Sequence, residues 1–100
     1  MEIARVKGSI VSTAKVDRLK GQKLLLVNLI GPDLKPTDNH LVAVDGVGAG
    51  EDEIVLVVRG SSARQAENLN TVPTDSSIIA IVDSIELEGT VVFDKSRSED

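Results

Sequence analysis

Few residues of this 100-residue chain could do chemistry. A hydrolytic triad would have to use the single histidine, His40, with Ser61 or Ser62 and with Asp45 or Asp83. Yet Gly60-Ser61-Ser62 lacks the glycine pattern of a strand–nucleophile–helix turn that exposes a catalytic serine. Asp45 and Asp83 are candidate paired carboxylates for acid–base work, but both fall at strand ends, where a hydrogen-bonded or solvated aspartate is the commoner role. His40 has no second histidine and no cysteine near it, which reads as a surface residue rather than a metal ligand. The sharper alternative is Arg59-Gly60-Ser61-Ser62-Ala63-Arg64. Two arginines bracket a helix start there, and the backbone N–H groups of a helix start favour an anion such as phosphate or carboxylate. The competing reading gives the serine a capping role and puts both arginines in salt bridges, between subunits among other places. The sequence favours that second reading, and it calls for no cofactor and no metal.

Composition narrows the classes further. Eleven basic residues face sixteen acidic ones, a net charge of −5. Sequence-independent nucleic-acid binding rests on phosphate neutralisation, and single-strand modules stack bases on aromatic rings. This chain is acidic and its one aromatic is Phe93. The acids cluster at Glu51-Asp52-Glu53 and at Ser98-Glu99-Asp100, which read as a solvated turn and a solvated tail. The absence of cysteine excludes disulfides and thiolate metal sites. No apolar run reaches membrane-spanning length and the N-terminus lacks a leader pattern, so the soluble cytoplasm is the expectation.

The elements that would position these residues are strands. Glu2 to Thr13 alternates, with Ala4, Val6, Gly8 and Ile10 assigned to one face; Gly8 marks a bulge or a close backbone approach. Lys23–Ile30 is apolar on both faces apart from Asn28, so it needs cover outside its own sheet, and a second subunit is the natural cover in so small a domain. Gly31-Pro32-Asp33 and Pro36-Thr37-Asp38-Asn39 read as turns. Two short strands, Leu41–Val44 and Ile54–Val58, flank a turn with glycine at 46, 48 and 50. Ser61 or Ser62 caps a short helix through Ala63–Glu67. Ser77–Leu87 is the longest strand candidate, with Ile79, Ile81, Asp83 and Ile85 on one face and Ile78, Ala80 and Val82 on the other. Gly89 leads to a last strand, Thr90–Phe93. Short strands, glycine-rich turns and a single short helix predict an all-β fold: a five-stranded barrel of the oligonucleotide-binding type or close to it, with a hairpin and tail extension. The expected boundaries are 1–94 for the barrel domain and 95–100 for a polar tail.

Taken together the motifs resemble the vertex proteins of bacterial microcompartments, the family shared by carboxysomes and ethanolamine-utilising shells. The resemblance runs through Ala4-Arg5-Val6-x-Gly8, Ile10-Val11-Ser12-Thr13 and Gly21-x-Lys23-Leu24-Leu25-Leu26-Val27. It continues through Ala43-Val44-Asp45, Val47-Gly48-Ala49-Gly50, Gly60-Ser61-Ser62-Ala63-Arg64-Gln65, Pro73-x-Asp75 and Ile81-Val82-Asp83. It implies a non-catalytic shell protein located in the microcompartment shell, forming a cyclic homo-oligomeric ring, typically a pentamer, beside hexameric shell proteins. Val47, Gly48, Ala49, Gly50, Gly60, Ser61, Ser62, Ala63 and Arg64 are then the family and assembly motif, with Arg64 expected at the subunit interface. The alternative is a small anion- or nucleotide-binding barrel that uses Arg59 and Arg64.

Overall fold

The computed structural model describes residues 1–13, 21–60 and 76–97. Seven strands follow in order: β1 (Glu2–Ile10), β2 (Leu24–Ile30), β3 (Pro36–Asp45), β4 (Ile54–Arg59), β5 (Ser76–Ile81), β6 (Ser84–Leu87) and β7 (Thr90–Asp94), and a 3-10 turn over Lys95–Arg97 ends the described chain. The first five close into a barrel in the order β1-β2-β3-β5-β4, while β6 and β7 form a separate two-stranded arm. All barrel pairs are antiparallel except β3 with β5. The five-stranded barrel and hairpin extension predicted from the strand pattern are therefore present. The short helix predicted over Ala63–Glu67 and its Ser61 or Ser62 cap lie outside the described residues.

The core contains no aromatic ring. Ala4, Val6, Leu25, Val27, Leu29, Ala43, Ala49, Val55, Val57 and Ile78 make one buried cluster. β-Branched and aliphatic side chains suit a small, tightly curved barrel whose interior is filled by side chains. Closure also removes the unpaired edges that an open sheet of so many valines would expose.

Bulges correct the strict alternation read from the sequence. The β1–β2 register shifts between Val6 and Gly8, so Lys7 is the extra residue. Ala4 and Val6 point inward, but beyond the bulge Gly8 pairs with Leu26 and Ile10 with Leu24, on the outer face. A one-residue slip moves every later side chain to the other face. Likewise the β4–β5 register shifts between Leu56 and Val57. Ile78 opposite Val57 and Ile81 opposite Val55 therefore both face the core, although the alternation of the sequence puts them on opposite faces.

The predicted Ser77–Leu87 strand is divided. Its first part belongs to the barrel and its second to the arm. The Val82 N–H still donates to Ile54 O, whereas Asp83 O accepts the Lys95 N–H at the base of the arm. Pro36–Asn39, expected as a turn, instead opens β3. Asn28 explains why: buried opposite His40, its amide donates to Thr37 O and Asn39 O at 2.9 and 3.0 Å. The arm reverses at Glu88-Gly89, both with positive φ (52° and 84°). That is the backbone of a two-residue hairpin loop whose twist matches its strands.

Candidate functional site

The Asp45–Gly50 turn closes one end of the barrel, and Asp45 organises it. Its N–H donates to Lys23 O, which ends the β2–β3 ladder. Its carboxylate then turns inward, with a side chain 0% exposed. Oδ1 accepts the Val47 and Gly48 N–H groups at 3.0 and 3.1 Å, and Oδ2 accepts that of Ala49 at 3.0 Å. Lys23 Nζ lies 3.5 Å from Oδ2 and 3.4 Å from Ala49 O. A buried carboxylate is tolerated only when paired and hydrogen-bonded, and this one has three backbone donors and an ammonium.

The motif alternates for a reason. Ala49 is buried in the core cluster and Val47 packs against it, so the two apolar residues plug the barrel end. Gly48 lies between them with φ at +79°, a conformation that costs an L-residue roughly 1–2 kcal/mol. Gly50 is different. Its φ is ordinary, and an added Cβ would meet only Glu53 Oε1, at 3.6 Å. Within Val47–Gly50 the conformational requirement for glycine therefore falls on Gly48.

Glu53 connects this turn to the arm. Oε1 accepts the Gly50 N–H at 2.7 Å and Oε2 accepts Lys95 Nζ at 2.6 Å. Hydrogen bonding to Lys95, then to Gly50, holds the Glu53 carboxyl below the usual glutamate range, and the same bond pushes Lys95 upward. Glu51 and Asp52 are exposed, as a solvated turn should be, but Glu53 is half-buried and structurally engaged. Neighbouring main chain completes the junction: Val6 N–H donates to Glu53 O, and Asp52 N–H donates to Val6 O.

The candidate catalytic residues do not come together. His40 and Asp45 lie on the same strand five residues apart, roughly 17 Å at strand spacing, with side chains on opposite faces. His40 is exposed, whereas the Asp45 carboxylate is consumed by the turn. Asp83 is exposed at the foot of the arm. Ser61 and Ser62 lie outside the described residues, as do Ala63 and Arg64. Arg59 ends β4 and forms a fork with Glu2, Nε to Oε1 at 2.6 Å and Nη2 to Oε2 at 2.8 Å. That pairing, chiefly its hydrogen bonds, also lowers the Glu2 pKa. A guanidinium already satisfied by a carboxylate is poorly placed to recruit an anion, so one half of the predicted anion site is spoken for. Among the described residues no three His, Asp or Glu side chains group as metal ligands.

Between the turn and the β1 bulge lies a hollow of about 250 Å³ walled by Val6, Leu25 and Ala49 and rimmed by Lys23 and Glu51. Sequence reasoning missed Glu53 and Lys95, which are 42 positions apart in sequence and meet only because the arm folds back. It also missed the Lys23–Asp45 pair, for which the one available signal was that each residue borders a glycine-flanked strand end.

The structure is thus a small closed barrel with one end plugged by Val47 and Ala49, and its Asp45 and Glu53 carboxylates are engaged in holding that end. The profile of the family described as "Ethanolamine utilisation protein EutN/carboxysome" matches residues 1–83. The bacterial microcompartment shell vertex protein EutN of Escherichia coli K12 is 45% identical over 95 residues, covering 95% of this chain and 100% of that protein. The solved structure of Gloeobacter violaceus CcmL superposes with a TM-score of 0.91 at 41% identity, covering 96% and 99% of the two chains. A further solved structure, the GrpN pentameric microcompartment shell protein of Rhodospirillum rubrum, gives a TM-score of 0.80 at 42% identity over 87% of this chain and 99% of that one. This chain belongs to the EutN/carboxysome family of microcompartment shell vertex proteins, which are structural components of the shell and not enzymes.

Proposed function

We propose that this protein assembles into a homopentameric ring that occupies the corners of a polyhedral microcompartment, seated among hexameric shell proteins. The observation that carries the reading is the near full-length likeness to vertex proteins, one of them described as pentameric. The physical role is geometric: a flat hexagonal sheet cannot close, and five-fold units supply its curvature. A cyclic ring needs heterologous contacts, one patch of each subunit meeting a different patch of the next. The barrel presents a suitable outer face, since Leu24, Leu26 and Ile10 stay only half-buried and Val42 is 46% exposed. The same strand β2 that buries Leu25, Val27 and Leu29 inside thus keeps apolar side chains outside, which supports the expectation of cover from a second subunit.

Within this reading, residues 1–94 make the shell-forming domain and 95–100 a polar extension whose first residue, Lys95, latches onto Glu53. Val47–Gly50 and Gly60–Arg64 are the assembly motif, the former by rigidifying the barrel end. Co-expression with hexameric shell proteins tests the function. Closed, faceted particles should form with this chain present and open sheets or tubes without it; closed particles in its absence would refute the reading. The alternative, an anion-binding barrel using Arg59 and Arg64, predicts saturable phosphate binding by calorimetry, which the Arg59–Glu2 fork argues against.

A further inference from the structure

The plug at the Asp45–Gly50 end of the barrel leaves a gap. Val6, Leu25 and Ala49 belong to the core cluster, yet all three also wall the hollow of about 250 Å³ between that turn and the β1 bulge. One small residue accounts for it. Beyond the bulge Ser9 pairs with Leu25 and so shares its inward side of the sheet, but a serine is too short to fill that position, and Ser9 stays exposed. Mouths of β-barrels are recurrent small-ligand sites, where apolar walls stand beside a few polar groups. This volume is below the roughly 300–1,000 Å³ of pockets for drug-sized molecules, so it suits a ligand with a single short aliphatic chain.

The rim supplies two opposite charges that the fold does not consume. Lys23 Nζ has only long contacts, 3.5 Å to Asp45 Oδ2 and 3.4 Å to Ala49 O, and its side chain is 55% exposed. Asp45 keeps three backbone donors without it. An ammonium has three donors, so Lys23 can turn one to a ligand and hold its place at the turn. Glu51 is exposed and, among the described residues, has no hydrogen bond or ion pair, with Lys23 or any other group. Glu53, two positions on, is by contrast fully engaged. An aliphatic acid would satisfy Lys23 and be opposed by Glu51, and an aliphatic amine would do the reverse. The terminus of a peptide likewise brings only one of the two charges.

We propose that this hollow binds a free α-amino acid with an unbranched aliphatic side chain. The side chain lies against Val6, Leu25 and Ala49, the carboxylate meets Lys23 and the ammonium meets Glu51. The site is built within one chain and does not depend on the ring reading.

Two-dimensional NMR of the isotope-labelled full chain, titrated with L-norleucine, tests it. Saturable amide shifts at Gly8, Ser9, Gly50 and Glu51 that fit one dissociation constant are the expected result. Norleucinamide keeps only the ammonium and N-acetylnorleucine only the carboxylate. Each should bind roughly two- to fivefold more weakly, the scale of one exposed charge pair. Glu51→Gln should weaken norleucine by the same factor and should not weaken N-acetylnorleucine. Ser9→Leu fills the hollow and should abolish the shifts for all three probes. Both positions are exposed and neither side chain has a partner among the described residues, so both variants should keep the wild-type circular dichroism. Should Ser9→Leu fail to fold, the Glu51→Gln titrations decide alone. Absence of saturable shifts with norleucine overturns the proposal, as do norleucine shifts that survive in folded Ser9→Leu or stay unchanged in Glu51→Gln. Equal affinity for norleucine and a one-charge analogue also overturns it, and would assign the hollow to a peptide terminus instead.

Discussion

Replacing Asp45 by Asn should loosen the barrel end by an amount the structure allows to be worked out. The asparagine oxygen can take over from Oδ1 and keep the Val47 and Gly48 N–H groups, although without the charge. Its amide nitrogen replaces Oδ2, so a donor then faces the Ala49 N–H and the Lys23 ammonium. Ala49 is 1% exposed, so water cannot readily replace the lost acceptor. A hydrogen bond from a charged group is worth about 1.5–3 kcal/mol net, and an orphaned buried donor carries its own desolvation cost, so the expected loss is about 2–4 kcal/mol. At roughly 4–8 °C per kcal/mol for a domain of this size, the melting temperature should fall by roughly 8–32 °C. Urea titration at one fixed protein concentration is the proper assay, since association raises apparent stability by mass action. A variant within about 0.5 kcal/mol of wild type, the scatter of ordinary surface substitutions, would refute the claim that this carboxylate holds the turn.

Other expectations concern the same junction and the motif beside it. Gly48→Val should destabilise by at least the roughly 1–2 kcal/mol of a left-handed residue, whereas Gly50→Ala should melt like wild type; equal losses in thermal unfolding would contradict the assigned backbone roles. The Glu53–Lys95 latch has a defined pH window. Glu53 is depressed in the fold, so its contribution is complete above the ordinary glutamate range and fades as pH falls through the lowered value. Lys95 is raised, so its contribution is complete below the ordinary lysine range and fades as pH rises through the raised value. Protection of arm amides in hydrogen exchange should therefore drop in acid and not near neutrality, and Glu53→Gln should abolish that acid step. Arg64→Ala should shift the protein toward smaller species without added ligand, by losing a charge pair worth on the order of 2–5 kcal/mol at an interface; intact rings with lost phosphate binding in calorimetry would favour the anion site instead.

Much of the architecture was legible because it follows from local chemistry. Short valine-, leucine- and isoleucine-rich runs between glycines specify strands, and Lys23–Ile30, apolar on both faces, announces a surface needing cover. What escaped was set by pairing. Gly8 marks the β1 bulge in the sequence, but nothing local marks Ile79 as the extra residue of a second one, and each bulge reverses the facing of everything beyond it. Pro36–Asn39 looks like a turn until the buried Asn28 amide across the sheet claims two of its carbonyls. The candidate site was legible in the same measure. Alternating apolar and glycine residues in Val47–Gly50 point to a shaped turn, but in the sequence the carboxylate anchoring it reads as a candidate acid–base group, because Asp45 and Lys23 are neighbours only after β2 and β3 pair.

The central claim is a ring of five. Native mass spectrometry of the wild-type protein at micromolar concentration should give one dominant species at five times the 10.6 kDa chain mass. A protein that remains a monomer across that range would contradict the account.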